Sequence, residues 1–192
     1  MEAGWVSDER TANEWIGGLA RDNIGALDLP IVARLRCAWI GRDERAVEYW
    51  STRILASRET EELRAEDRHM GQALARILLD LGVIPSNQPL QPHFISYGSM
   101  FACACAAWSV PERETLQTYA WTWIEGQTLA AVKVVPLGQS AGQRILHALI
   151  PELERIVEDA SQLRDEDIAA GSVMQAFASA KHEQQYTRLF RS

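Results

Sequence analysis

Residues able to carry out covalent or metal chemistry are few in this chain of 192 residues. A nucleophilic mechanism needs Cys or Ser beside a His base, and a metal centre needs clustered His, Cys or carboxylate ligands. The chain offers three cysteines, Cys37, Cys103 and Cys105, and four histidines, His69, His93, His147 and His182. The histidines fall in a charged stretch, a proline loop, an apolar helix and the terminal segment. None has a partner at ligand spacing, and an isolated His is normally solvated or hydrogen-bonded in place. Cys103 and Cys105 stand two apart, which on a helix turns their sulfurs to different faces, whereas structural zinc asks for two spaced pairs. They read as small buried residues, with a metal shared between subunits through His182 or the cysteines left open. Gly138 and Gly142 in GQSAGQR depart from the phosphate-loop pattern, which has four residues between its glycines followed by Lys and Ser/Thr. Here three intervene, and Gln143 and Arg144 follow. No catalytic residue, resident metal or cofactor is predicted; the alternative is a small helical enzyme or metal-binding protein using His147, His182 or the cysteines.

Charge narrows the partners. Nineteen basic against 26 acidic side chains give a net charge of −7 with no Lys/Arg cluster, so the electrostatic footprint of nucleic-acid or anionic-membrane binding is missing. Seven tryptophans and a basic, aromatic ending supply the residue types that carry energy at protein interfaces. Docking to proteins is the expected mode of action. The start of the chain lacks a basic, apolar secretory signal, no apolar run reaches membrane-spanning length, and an odd cysteine count points to a reducing compartment. A cytoplasmic location is expected.

Apolar residues recur at helical spacing almost throughout, and strict alternation is hard to find. The pattern predicts an all-α, single-domain helical bundle. A first helix starts near Asp8 or Thr11, where Thr11 and Glu14 have capping-box spacing; it buries Trp15, Ile16 and Leu19 and is weakened by Gly17 and Gly18. A second runs from Asp28–Pro30 to Gly41, and Asp43 caps a third. That third helix turns Ala46, Val47, Trp50, Ile54 and Leu55 inward and Arg45, Glu48 and Arg53 outward. From Glu59 to Gly82 a long helix passes from a charged half, read as a solvated face, to an apolar half that carries Met70, Leu74, Ile77, Leu78 and Leu81. Pro85 to Pro92 reads as a loop, and Tyr97 to Trp108 as a helix packed on all sides. Ser109 and Glu112 have capping-box spacing ahead of a long helix that holds Leu116, Tyr119, Ala120, Trp123, Ile124, Leu129 and Ala130 on one face. Pro136 and Gly138 end it, and a final long helix covers about Ser140 to Ala160, with Pro151 a candidate kink.

The block KVVPLGQSAGQR, Lys133 to Arg144, resembles the urease accessory protein UreF family of helical assembly factors. Four further blocks follow the family order: EAGWV at Glu2 to Val6, DLPIVARL at Asp28 to Leu35, LASRETEELRAEDRHMG at Leu55 to Gly71, and SAKHEQQYTRLFRS at Ser179 to Ser192. The family pattern also has a segment upstream of the Gly-Trp-Val block that this sequence does not contain, so no contact of that segment is carried over. The resemblance implies a non-catalytic all-α protein, residues 1–192, with 179–192 a partner-binding C-terminal tail. It implies binding to the accessory protein UreD (also called UreH), a homodimer within that complex, recruitment of the GTPase UreG, and delivery of nickel to the urease apoprotein.

Elementary physics gives the shared blocks a role. A helix broken by Pro136 and Gly138 just after Lys133 places a cation where unpaired carbonyls leave negative potential. Such a turn can project Lys133, Gln139, Gln143 and Arg144 towards a partner, or can simply join two core helices. In the tail, His182, Glu183, Tyr186, Arg188, Leu189, Phe190 and Arg191 mix basic and apolar groups without the bulk of a core. That composition fits ordering on a partner, with Tyr186 and Phe190 as anchors.

Overall fold

The computed structural model describes residues 5–85 and 90–169. Its first helix, α1 (Glu9–Leu19), begins where Asp8 satisfies the free amides of the first turn. The Asp8 carboxylate accepts from the Thr11 amide at 2.8 Å, and the Thr11 hydroxyl accepts from the Asp8 amide at 3.1 Å. The capping box therefore sits one turn earlier than the Thr11 and Glu14 spacing indicates, and Glu14 pairs with Arg10 instead.

Gly17 and Gly18 do not end the helix. It continues through a π-helical segment, Ala20–Asp28, straight into α2 (Leu29–Gly41), with the Leu29 amide reaching five residues back to the Ile24 carbonyl. Two of the glycines mark places where another helix presses close. A Cβ at Gly25 would lie 2.7 Å from Ile156 Cγ2, and one at Gly17 3.2 Å from Leu149 Cδ2. Arg42, left-handed at φ 53°, rather than Gly41, turns the chain out of α2. The Asp43 carboxylate then caps α3 (Glu44–Ala56). Arg53, expected in water, lies 5.2 Å from the Trp50 ring centroid and donates to the backbone carbonyls of Asp165 and Ile168.

Helix α4 (Glu61–Asp80), capped by Thr60, buries Asp67, Gly71, Ala75 and Leu78. Met70, Ile77 and Leu81 are 43%, 52% and 61% exposed. The helix packs chiefly on α5 (Tyr97–Ala107), so one narrow stripe suffices and the adjoining apolar row is left outside. Gly82 closes it at φ +69°, a turn that favours glycine. Helix α5 is buried on nearly every side between α2 and α4, as its small residues imply. Ser109 caps nothing: it is itself left-handed (φ 55°), and Pro111 begins α6 (Glu112–Val134). The buried line of α6 runs through Leu116, Tyr119, Ala120, Ile124 and Thr128, leaving Leu129 and Ala130 exposed. Helix α7 (Gln139–Gln162) returns along α6 and carries Pro151 within its span. The larger core cluster joins α1, α2, α3, α6 and α7; a smaller one of Ala75, Leu78, Ile84, Met100, Cys103 and Ala104 lies between α4 and α5, and Trp39 packs against both. The fold is an all-α, single-domain bundle. No helix among the described residues is long and apolar enough to cross a membrane.

At the centre of the bundle lies a charge network built from the blocks around Asp28 and Arg58. The Arg58 guanidinium donates to both carboxylate oxygens of Asp28 (2.9 and 2.8 Å) and twice to Asp67 Oδ2 (3.1 and 3.0 Å). Asp67 also accepts from the Tyr97 amide at 2.8 Å, and Asp28 from the Tyr119 hydroxyl at 3.0 Å. Burial opposes the Arg58 charge, but the attraction and hydrogen bonding of Asp28, together with Tyr119 and Asp67, outweigh it and hold the group well above its ordinary pKa. Burial, and then the charge on Asp28, raises the Tyr119 phenol so that it remains a donor. The expected solvated face of α4 thus contains a buried carboxylate, Asp67, at 6% exposure. Replacing Arg58 by Leu leaves two buried carboxylates without their cation, and we expect a stability loss of about 3–5 kcal/mol, measured by urea unfolding. A loss below about 1 kcal/mol would show that the network is not structural.

Candidate functional site

The turn between α6 and α7 is built from a buried base and an exposed rim. Val135, at 3% exposure, anchors the end of α6, its amide bonded to the Ala131 carbonyl at 2.8 Å. Leu137 packs against the main core, and Ala141 and Gly142 are buried at the start of α7. A Cβ at Gly142 would meet Val132 Cγ2 at 2.9 Å and Thr128 Cγ2 at 3.6 Å, so this glycine sets the approach of the two helices. Gly138 is different. Its φ is −71°, which any residue adopts, and nothing lies within 4 Å of the Cβ it lacks. Neither backbone angle nor crowding requires glycine there.

Lys133, Gln139 and Gln143 are exposed on this rim and make no hydrogen bond or ion pair among the described residues. Lys133 stands in the last turn of α6, where the helix dipole favours a cation. Arg144 is exposed but engaged: Nε and Nη2 donate to the two Glu9 oxygens at 2.8 and 2.6 Å, tying the first turn of α1 to the second turn of α7. That pairing lowers the pKa of Glu9 and raises that of Arg144. Beside it lies a shallow groove lined by Glu9, Arg10, Asn13, Arg144, Ile145 and Ala148. Three of the four turn residues singled out in the sequence therefore face solvent unpaired, and the fourth already has a partner. The tail residues His182, Glu183, Tyr186, Arg188, Leu189, Phe190 and Arg191 lie outside the described residues.

The residues considered for covalent or metal chemistry do not converge. His147 is exposed on α7, Cys37 is exposed on α2, and Cys103 and Cys105 are buried in α5. Burial pushes the Cys103 thiol up to about 11, leaving it protonated and a poor nucleophile or ligand at neutral pH. Among the described residues no group of three or more His, Cys, Asp or Glu side chains could hold a metal ion. His182 lies outside them. The tryptophans are less available than their number suggests: Trp108 is 57% exposed, while Trp50 is buried and the other five are half-buried. Trp5 and Trp15 stack with ring centroids 5.7 Å apart, which gives the Gly-Trp-Val block a packing role.

Sequence reasoning missed the π-helical segment and the Arg53 contacts with the 165–168 segment. Pro30 was a visible signal for the first, because it has no N–H to give the carbonyl four residues back. Nothing local signals the second.

Comparison with known proteins places these features in context. The family model described as UreF matches residues 6–150. A urease accessory protein UreF of Alkalilimnicola ehrlichii is 41% identical over 192 residues, spanning 100% of this chain and 84% of the relative. Those of Hahella chejuensis and an Azoarcus species are 38% and 40% identical across 100% of this chain, covering 86% and 84% of their own lengths.

The two glycines of the turn should respond oppositely. Gly142→Leu forces a side chain between α6 and α7 and should cost about 1–3 kcal/mol. Gly138→Ser adds a better helix cap in open space and should leave the melting temperature unchanged or slightly raised. Thermal unfolding of both variants checks this pair.

Proposed function

Because the chain belongs to the UreF family of urease accessory proteins, we propose that it serves maturation of the urease nickel centre by binding alone and makes or breaks no covalent bond. In this reading the C-terminal residues 179–192 bind UreD (UreH), two copies pair within that complex, and the α6–α7 turn recruits the GTPase UreG. The assembly then meets the urease apoprotein in the cytoplasm, and nickel is its cargo. The observation that carries the reading is the rim of Lys133, Gln139 and Gln143: three exposed, unpaired polar side chains on a base held by Val135 and Gly142.

The mechanism follows from that base. A scaffold accelerates assembly by holding partners in one arrangement, and it changes a GTPase only by binding one of its states more tightly than another. Side chains on a packed helix junction lose less freedom on docking than side chains on a mobile loop. Gly138, free of neighbours, lets a partner backbone come close to the start of α7. The body is acidic overall, which suits protein partners and disfavours nucleic acid and anionic membranes.

Lys133 and Lys181 are the only lysines of the chain, so amine acetylation reads the two surfaces separately. Adding UreG to the complex should shield Lys133, and adding UreD to the isolated chain should shield Lys181. Lys133→Ala should weaken UreG recruitment by about tenfold, the scale of one charge-assisted contact, with the melting temperature unchanged. Full labelling of Lys133 in the assembled complex would overturn the assignment of the turn. Deleting 181–192 should abolish co-elution with UreD; unchanged co-elution would overturn the assignment of the tail.

A further inference from the structure

The last described residues, 163–169, are fastened across the bundle by contacts that their own sequence does not announce. Ile168 is buried in the main core at 3% exposure. Arg34 on α2 donates through Nε to Asp165 Oδ1 at 2.9 Å and through Nη2 to the Leu163 carbonyl. Arg53 on α3 donates to the Ile168 carbonyl at 2.8 Å and, through both terminal nitrogens, to the Asp165 carbonyl at 3.3 Å. The Ala169 amide donates to the Ala26 carbonyl at 3.2 Å. In a regular α-helix that carbonyl would accept from residue 30, but residue 30 is proline and has no N–H. The proline of the DLPIVARL block thus frees an acceptor for Ala169, and Arg34 of the same block supplies a clamp.

We propose that residues 163–169 form a strap whose anchors, Arg34, Arg53 and the Ala26 carbonyl, fix the position and direction of the chain at residue 169, from which it continues toward the partner-binding C-terminal residues. The inference rests on the reading that residues 179–192 bind UreD, and it adds positioning residues to that site. Arg34 and Arg53 need not touch the partner. By fixing the chain at residue 169, ahead of the binding segment that starts at residue 179, they shorten the free tether and so reduce the freedom lost when it docks. Arg34 joins the Asp165 carboxylate to the Leu163 carbonyl, and Arg53 spans the Asp165 and Ile168 carbonyls, a use of the planar guanidinium fork that lysine cannot reproduce.

The test uses the full chain, the double variant Arg34→Ala/Arg53→Ala, the single variant Arg53→Lys, and purified UreD. Hydrogen exchange at residues 165–169 should quicken at least about tenfold in the double variant, and the Kd for UreD should rise by about tenfold, the scale of ordering roughly one extra residue. Arg53→Lys should fall between the double variant and the parent. Three results would overturn the strap: exchange that does not change, exchange that quickens while the Kd stays within about twofold, or an equal loss of UreD affinity in a core variant such as Ile156→Val at the same melting temperature. Failure of the underlying reading looks different, because deletion of 181–192 would then leave the Kd of the parent chain unaltered.

Discussion

A buried arginine between two aspartates constrains the whole bundle. Arg58 follows α3, Asp28 closes the π-helical segment and Asp67 lies in the first half of α4, so one guanidinium ties the α3–α4 connection to a helix nine residues on and to a segment thirty residues back. Each charge is tolerable in the interior only while the others are in place. Tyr119 brings α6 into the same network and the Tyr97 amide brings α5. Gly71 makes the last link sterically feasible, since a Cβ there would lie 2.7 Å from the Ser96 carbonyl carbon. Directional hydrogen bonds of this kind select one arrangement of helices where apolar packing alone would accept several.

The same network determines how the surfaces are presented. The π-helical segment places Asp28 beside Arg58 while Leu27 and Leu29 remain buried. Away from the network, α6 and α7 approach closely at Gly142 and present the polar rim between them. A protein whose work is binding benefits from such stiffness, because the cost of ordering its surface has already been met in folding. The outward apolar row of Met70, Ile77 and Leu81 on α4 stands outside these arrangements and has no assigned role.

The shared sequence blocks divide between scaffold and surface. Asp28, Arg58 and Asp67 belong to the charge network, Pro30 and Arg34 to the dock of residues 163–169, and Trp5 to a stack on α1. The block from Lys133 to Arg144 leaves several polar side chains in solvent with no partner among the described residues, as the 55–71 block also does at Glu59, Glu66, Arg68 and His69. Even there Arg144 closes onto Glu9. A charged motif is thus no guide by itself to a binding surface: LASRETEELRAEDRHMG reads as solvated, yet it carries the most deeply buried ion pairs of the fold.

Local physics made much of this legible in the amino-acid order. Helical periodicity, Asp43 as a cap, Gly82 as a stop, and the small residues of α5 each act within a few residues of themselves. The family resemblance, and with it the turn at Lys133 to Arg144, also stood in linear motifs. What only the tertiary structure decided is pairing across long separations. Which apolar row of α4 is covered depends on where α5 lies, which charges are buried depends on Arg58 meeting Asp28 thirty residues away, and Arg53 turns from solvent to carbonyls more than a hundred residues on. Periodicity records that a residue is apolar or charged and where it falls on its helix. It carries no record of what the chain brings against that face, because that contact is made by residues the pattern does not contain.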